Sequence, residues 1–120
     1  GYPNSLDSEH YKKADLDAYD KIADLVEDSS IDEVSLEDSH RPIDLKLLEK
    51  FKKTKVIMGL IDVAKSRMES VEEVQERIRE VLEHIDEERL IAAPDCGLGF
   101  FDRNQAKQKM QILSKAVKNL

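Results

Sequence analysis

Cysteine pairs, long apolar runs and clustered basic residues are all missing from this chain, and each absence excludes a class of protein. The only cysteine, Cys96, cannot form an internal disulfide, which is typical of a reducing compartment, so we expect a cytoplasmic protein. No apolar run approaches the roughly 20 residues that a membrane helix needs. The first ten residues, GYPNSLDSEH, lack the charged and apolar regions of a signal peptide.

The charge distribution argues against nucleic-acid binding. The formal net charge is -7, and the basic residues are spread along amphipathic segments instead of forming a stripe. A hydrophobic content of 40% argues against disorder, and 120 residues can bury the core of one domain at most. The chain has no phosphate-binding glycine loop, Ser-His-Asp arrangement or dinucleotide fingerprint.

What is present is helical periodicity in four segments. The third segment has capping-box spacing at Ser70 and Glu73, and the fourth has a similar start at Asp102 and Gln105. A short second helix follows Pro42, with Asp44 as its cap. The predicted inward-facing residues are Leu16, Tyr19, Ile22, Ala23 and Val26 in the first helix; Leu45, Leu48 and Phe51 in the second; Val71, Val74, Ile78, Val81, Leu82 and Ile85 in the third; and Ala106, Met110, Leu113 and Val117 in the fourth.

Three short apolar stretches lie between these helices, at 33–37, 55–62 and 89–95. The second and third are nearly continuous apolar runs, which indicates strands covered on both faces, as in a parallel sheet. The order is helix, then strand–helix three times, which predicts an α/β fold of repeated strand–helix units. Three strands cannot close a barrel, so we expect residues 1–120 to be one domain that is part of a larger parallel structure. Either the chain is a piece of a longer polypeptide, which we favour, or a partner covers the open edge of its first strand.

Each predicted strand ends in polar residues: Glu37, Asp62, and the pair Asp95 and Cys96. In strand–helix barrels the active site is built at the carboxyl ends of the strands. Cys96 by itself is most often a small buried hydrophobe. Here Pro94 and the glycines that follow it indicate a special backbone conformation where the chain leaves the strand, and a thiolate at that edge can bind zinc.

Other polar residues carry weaker signals. His84 lies late in a helix, which favours a structural role, and His10 lies in an irregular, exposed segment. Glu37 and His40 have the spacing of di-iron carboxylate proteins, but such sites need the motif twice, on helices. The segment 65–69 reads as a solvated loop, although contact with an anionic ligand is an alternative.

The order of five motifs resembles the catalytic barrel of the cobalamin-independent methionine synthase family, including its shorter relatives. The motifs are Val-Ser-Leu-Glu at 34–37, Gly-Leu-Ile-Asp at 59–62 followed by Glu-Ser at 69–70, Glu-Arg-Leu at 88–90, Pro-Asp-Cys-Gly-Leu at 94–98, and Lys-Met at 109–110. The resemblance implies the C-terminal part of a (β/α)8 TIM barrel. It also implies a methyltransferase of methionine biosynthesis, with methyl transfer from methyltetrahydrofolate or a corrinoid protein to the thiol of homocysteine.

The resemblance further implies one zinc ion held by a histidine, two cysteines and a glutamate. Glu37 matches the glutamate and Cys96 the final cysteine, with Asp95 and Asp62 as neighbours that orient ligands or lie near the substrate. The histidine and the other cysteine belong to a His-x-Cys motif that precedes a stretch like Gly-Tyr-Pro-Asn in relatives, and that motif is absent here. We therefore expect the isolated chain to be inactive.

Two alternatives stay open at this point. A zinc enzyme that methylates another small thiol, such as coenzyme M, fits the same two ligands. A non-catalytic domain that binds a partner through its open sheet edge fits the missing His-x-Cys motif. The histidine that methionine synthases have after the strand at 56–62 is also missing, since the chain reads Val-Ala-Lys at 63–65. This difference is typical of the short relatives and leaves the methyl donor open.

Overall fold

A three-stranded parallel sheet is the centre of the structure. The computed structural model describes residues 6–8 and 15–120. The strands β1, β2 and β3 span Glu33–Glu37, Lys55–Ile61 and Leu90–Pro94, and they lie side by side in chain order. The helices α1, α2 and α3 span Asp17–Asp28, Val71–Leu82 and Arg103–Lys118, and two 3-10 helices span Leu45–Lys50 and Glu87–Arg89. The predicted order of strands and helices is confirmed.

The middle strand is covered on both faces, as its continuous apolar run predicts. In β2, Val56 and Met58 are fully buried on one face, and Ile61 is fully buried at the strand's end. The edge strand β3 differs from the prediction, because Ile91 is 37% exposed and no residue of β3 itself is fully buried. Within the described residues β3 pairs only with β2, so one of its flanks has no strand to cover it.

Helix α2 agrees with its predicted apolar face, and its capping box is present. The Ser70 hydroxyl accepts a hydrogen bond from the backbone N–H of Glu73 at 3.0 Å, and the Glu73 carboxylate accepts one from the N–H of Ser70 at 2.7 Å. The predicted capping box of α3, between Asp102 and Gln105, is also present. Each box satisfies N–H groups that the first helical turn leaves without partners, which fixes where the helix begins.

The buried face of α3 is rotated relative to the prediction. Met110 and Val117 were expected to face inward, but they are 43% and 44% exposed. The buried residues are Lys109, Leu113 and Ala116, spaced four and three apart. A lysine on the buried stripe is the reason for the difference, because an apolar pattern does not include it.

Helix α1 is more exposed than its apolar pattern suggests. Ala23 is buried, but Ile22 is 47% exposed. The reason is that α1 packs chiefly against the 3-10 helix Leu45–Lys50, so only a narrow face of α1 is covered. The predicted second helix is this 3-10 helix, and Asp44 caps it by accepting a hydrogen bond from the N–H of Lys46 at 3.0 Å.

None of the helices in the described ranges is long and apolar enough to cross a membrane.

Candidate functional site

The strand-end residues predicted from the sequence lie at the same edge of the sheet. Glu37 is paired in register with Gly59, and Gly59 is paired with Ala93, three residues before Cys96. Neighbouring strands are about 4.8 Å apart, so the backbones of β1 and β3 are separated by roughly 10 Å across β2. Glu37 is half-buried and Cys96 is a free, exposed thiol. A carboxylate and a thiol therefore flank the middle strand.

Asp95 connects the two outer strands by crossing over the middle one. Its Oδ1 accepts hydrogen bonds from the backbone N–H groups of Asp38 at 3.1 Å and Ser39 at 3.0 Å, and its Oδ2 accepts one from the N–H of His40 at 2.7 Å. The crossing needs a glycine below it, because a Cβ on Gly59 would lie 2.2 Å from Asp95 Oδ1. Asp95 thus fixes the three residues that follow Glu37.

The environment of Asp95 also changes its acidity. Burial and the nearby charge of Glu37 raise the pKa of its carboxyl group, the three N–H donors oppose the shift, and the resulting pKa is about 6. Asp95 is therefore a weaker acid than an ordinary aspartate.

A second buried carboxylate anchors the same loop to α2. Asp38 is 1% exposed, and its two oxygens accept hydrogen bonds from Arg77 Nε and Nη2, each at 2.7 Å. Asp38 Oδ1 also accepts one from the N–H of Ile43 at 2.8 Å. The bonds to Asp38 raise the pKa of Arg77 above its ordinary value, so the guanidinium group stays charged.

Asp62 contacts both the loop that follows β1 and the loop that follows β2. Its Oδ1 accepts a hydrogen bond from the N–H of Ala64 at 2.7 Å, and its Oδ2 lies 3.5 Å from His40 Nδ1. The side chains of His40 and Asp62 are 15% and 16% exposed. Asp7, at the start of the described chain, binds this second loop through Ala64 and Ser66.

Several other sequence-based interpretations can now be compared with the structure. His84 follows α2, and its Nδ1 lies 2.7 Å from Glu49 Oε1, which agrees with a structural role. The segment 65–69 is not simply a solvated loop, because the Glu69 side chain is only 9% exposed. Neither Gly97 nor Gly99 has a positive φ, so the backbone there is not left-handed. His10 lies outside the described residues.

Sequence reasoning missed the interactions that hold this edge together. The Asp38–Arg77 pair joins residues 39 positions apart, and a second pair joins Glu69 with Lys109, 40 positions apart. The one local signal was Lys109 itself, which shares a helical stripe with Leu113 and Ala116.

Glu37 and Cys96 are residue types that bind zinc, but two ligands are fewer than a zinc site needs. Glutamate oxygen and cysteine sulfur are both ordinary zinc ligands, and zinc takes four ligands in structural sites or three with an open position in catalytic sites. In the parts of the chain that the structure describes, no group of three or more His, Cys, Asp and Glu side chains is arranged to hold a metal ion. Glu37 and Cys96 can supply half of a four-ligand zinc site.

Comparison with known proteins decides the family. The family model described as the catalytic domain of cobalamin-independent synthase matches residues 10–119. The chain belongs to the cobalamin-independent methionine synthase family. It is 40% identical over 100 residues to a methionine synthase of Thermococcus kodakarensis, and 34% identical over 100 residues to one of Pyrococcus horikoshii. Each alignment covers 82% of this chain and 30% of the relative.

A solved structure supports the same assignment. The B12-independent methionine synthase of Shewanella, in complex with selenomethionine, matches with a TM-score of 0.80 and 30% sequence identity. The match covers 84% of this chain and 30% of that one. The predicted fold class, α/β with parallel strands as part of a TIM barrel, is confirmed. The chain spans about a third of the length of the relatives that it matches.

Proposed function

We propose that this chain forms part of a zinc-dependent methyltransferase that moves a methyl group to the thiol of homocysteine and so forms methionine. The observation that carries the proposal is the placement of Glu37 at the end of β1 and of Cys96 two residues beyond the end of β3, at one edge of the sheet, in a chain of this family. The methyl donor is methyltetrahydrofolate or a methyl-corrinoid protein. We expect the reaction to take place in the cytoplasm.

Glu37 and Cys96 would hold the zinc ion through a carboxylate oxygen and a thiolate sulfur, together with ligands from outside the described residues. Zinc, when bound there, would act as a Lewis acid that lowers the pKa of a substrate thiol from its ordinary value near 8.5. Glu37 is half-buried at the end of β1. The exposed thiol of Cys96 is accessible to a metal from the open side.

The neighbouring carboxylates have separate tasks. Asp95 holds the backbone of residues 38–40 and thereby orients Glu37, which directly precedes them. Asp62 directly follows β2, the strand next to the one that ends in Glu37, and it lies against His40. A substrate on the metal would be within reach of it there. A ligand that must keep its geometry during the reaction needs such support.

Zinc content tests the proposal directly. We would fuse the chain behind the part of the Thermococcus kodakarensis relative that the alignment leaves out, to complete the barrel, and compare the fusion with the isolated chain. We expect about one zinc ion per fusion, little zinc on the isolated chain, and loss of zinc in Cys96→Ala and Glu37→Gln. Glu33→Gln is the matched control, since Glu33 lies exposed at the opposite end of β1.

Activity then separates the alternatives. The fusion is assayed for methyl transfer from each donor to homocysteine and to coenzyme M. Product with homocysteine supports the proposal, and product with coenzyme M alone favours the other thiol methyltransferase. Full zinc binding and activity in Cys96→Ala would contradict both. An isolated chain that forms a stable, specific oligomer, with an inactive fusion, would favour a domain that binds a partner through its sheet edge.

A further inference from the structure

Lys109 is a fully buried cation that the proposed zinc chemistry does not use. Its side chain is 0% exposed, and it lies on the inner face of α3 beside Leu113. The Phe101 ring covers it, with the ring centroid 5.1 Å from Nζ. A buried ammonium group is costly unless every one of its three N–H donors has a partner.

All three donors of Lys109 are accounted for, and all of them point at one loop. Nζ donates to the carbonyl oxygens of Asp62 at 2.9 Å and Arg67 at 2.7 Å. It also lies 3.1 Å from each carboxylate oxygen of Glu69. The loop between β2 and α2 is therefore attached to α3 at its first residue and again near its end.

Glu69 completes the attachment from the other side. Its Oε1 accepts a hydrogen bond from the backbone N–H of Asp62 at 3.0 Å. The backbone of Asp62 is thus held at both of its polar groups, by Glu69 at N–H and by Lys109 at C=O. A residue fixed in this way has little freedom to move its side chain away from the groups that it contacts, Ala64 and His40.

We propose that Lys109 and Glu69 are positioning residues that hold the Asp62 carboxylate against His40 at the carboxyl edge of the sheet. The catalytic relevance of this pair rests on the function proposed above, because it is there that Asp62 lies near the substrate. The pair itself contacts neither substrate nor metal, and it acts only through the backbone of Asp62.

The test separates positioning from general stability. Lys109→Met leaves the Glu69 carboxylate buried without its cation, so this variant loses stability as well. The double variant Lys109→Met/Glu69→Met leaves no buried charge unpaired, although it removes the partners of the Asp62 and Arg67 backbone groups and so also costs some stability. Lys107→Met is the matched control, because Lys107 is exposed on the same helix.

Backbone amide exchange of the purified chain reports the position of Asp62, since the N–H of Ala64 donates to its Oδ1. In the double variant we expect exchange at Ala64 to accelerate at least about tenfold more than exchange at Ile78 within α2, because the loss of position at Asp62 is local. Equal exchange at Ala64 in the double variant and the unmodified chain would overturn the proposal. So would the same acceleration in Lys107→Met.

Methyl transfer by the fused barrel gives the second readout. We expect the double variant to lower kcat by about tenfold to a hundredfold while KM for the thiol stays within about threefold, since a misplaced group near the reacting atoms mainly affects the transition state. An unchanged kcat would overturn the catalytic part of the proposal. If the unmodified fusion transfers no methyl group, the proposed function fails, and the exchange measurement still decides whether Lys109 and Glu69 hold Asp62.

Discussion

The loops that follow β1 and β2 differ from the loop that follows β3 in how they are held. The first two are attached to the rest of the molecule by buried charges, through Asp95 and Asp38 in one case and Lys109 in the other. The third loop, which carries Cys96, is mostly exposed from Cys96 to Phe100. An added Cβ at Gly97 or Gly99 would meet no atom within 4 Å.

This difference shows which part of the site the chain builds by itself. Glu37 precedes a backbone segment whose three N–H groups are bound by Asp95, so its position is set by contacts within the chain. Cys96 is exposed in the loop just beyond Asp95, after a strand that pairs only with β2 among the residues that the structure describes. We infer that the backbone after Glu37 is preorganised, whereas the loop that carries Cys96 is less constrained by the rest of the chain.

The largest expected effect comes from filling the space under Asp95. In Gly59→Ala the new Cβ would lie 2.2 Å from Asp95 Oδ1 and 2.7 Å from Asp95 Cα, so the backbone itself would have to shift. We expect unfolding in urea to show a loss of about 3 kcal/mol or more. Gly97→Ala is the control and should stay within about 0.5 kcal/mol of the unmodified chain. Similar losses in both variants would mean that the crossing of Asp95 over β2 is not a constraint.

A smaller loss is expected from the second anchor of the same loop. Arg77→Met leaves Asp38, which is 1% exposed, without its cation. Removing one partner of a buried pair typically costs about 3–5 kcal/mol, and the 25% exposure of the Arg77 side chain reduces the expected cost to about 2–3 kcal/mol.

Two further variants sharpen that measurement. Arg79→Met, on the exposed face of the same helix, should change the free energy of unfolding by less than about 0.5 kcal/mol. Arg77→Met/Asp38→Asn should recover part of the loss, because the uncompensated charge is gone. An unrecovered loss would assign the effect to packing of the Arg77 side chain instead of to the charge on Asp38.

The pH dependence of stability reports on Asp95. Its pKa is about 6 in the folded chain and ordinary, near 3.8, in the unfolded chain, so between these values the folded state binds more protons. The contribution of Asp95 to stability therefore falls as pH rises from about 4 to about 6, by up to about 3 kcal/mol, and is constant outside that window. We would measure urea unfolding with a chelator present.

The variant Asp95→Asn should lack this part of the pH profile, whereas Asp32→Asn, at an exposed position, should keep it. A profile in Asp95→Asn that is parallel to that of the unmodified chain would show that Asp95 titrates normally. Its hydrogen bonds to residues 38–40 would then outweigh its burial.

How much of this could be predicted from the sequence depends on how far apart the interacting residues are. The capping boxes of Ser70 with Glu73 and of Asp102 with Gln105 were predictable, because each joins residues three apart. The placement of the strand-end acids was also predictable, since parallel strands bring their carboxyl ends to one edge.

The hydrogen bonds and ion pairs that hold the loops were not predictable, because they join residues that are far apart in the sequence. Asp95 binds residues 55 to 57 positions away, and Lys109 binds Glu69 from 40 positions away. No local pattern distinguishes these charged residues from solvated ones, because it is tertiary packing that buries them. The roles of Glu37 and Cys96 as zinc ligands came from family resemblance, and they remain predictions.

The smallest expected effect on stability is at Cys96, in the exposed loop after β3. It tests whether this loop is held less firmly than the loops after β1 and β2. Because the thiol is exposed, Cys96→Ala should change the free energy of unfolding by less than about 0.5 kcal/mol. In the fused barrel the same variant should lose its zinc. The two measurements together separate a ligand from a structural cysteine, since a structural cysteine would lower the stability of the isolated chain. A loss of stability above about 1 kcal/mol without metal would mean that the loop after β3 is held by contacts of Cys96 itself, and the contrast with the two anchored loops would no longer apply.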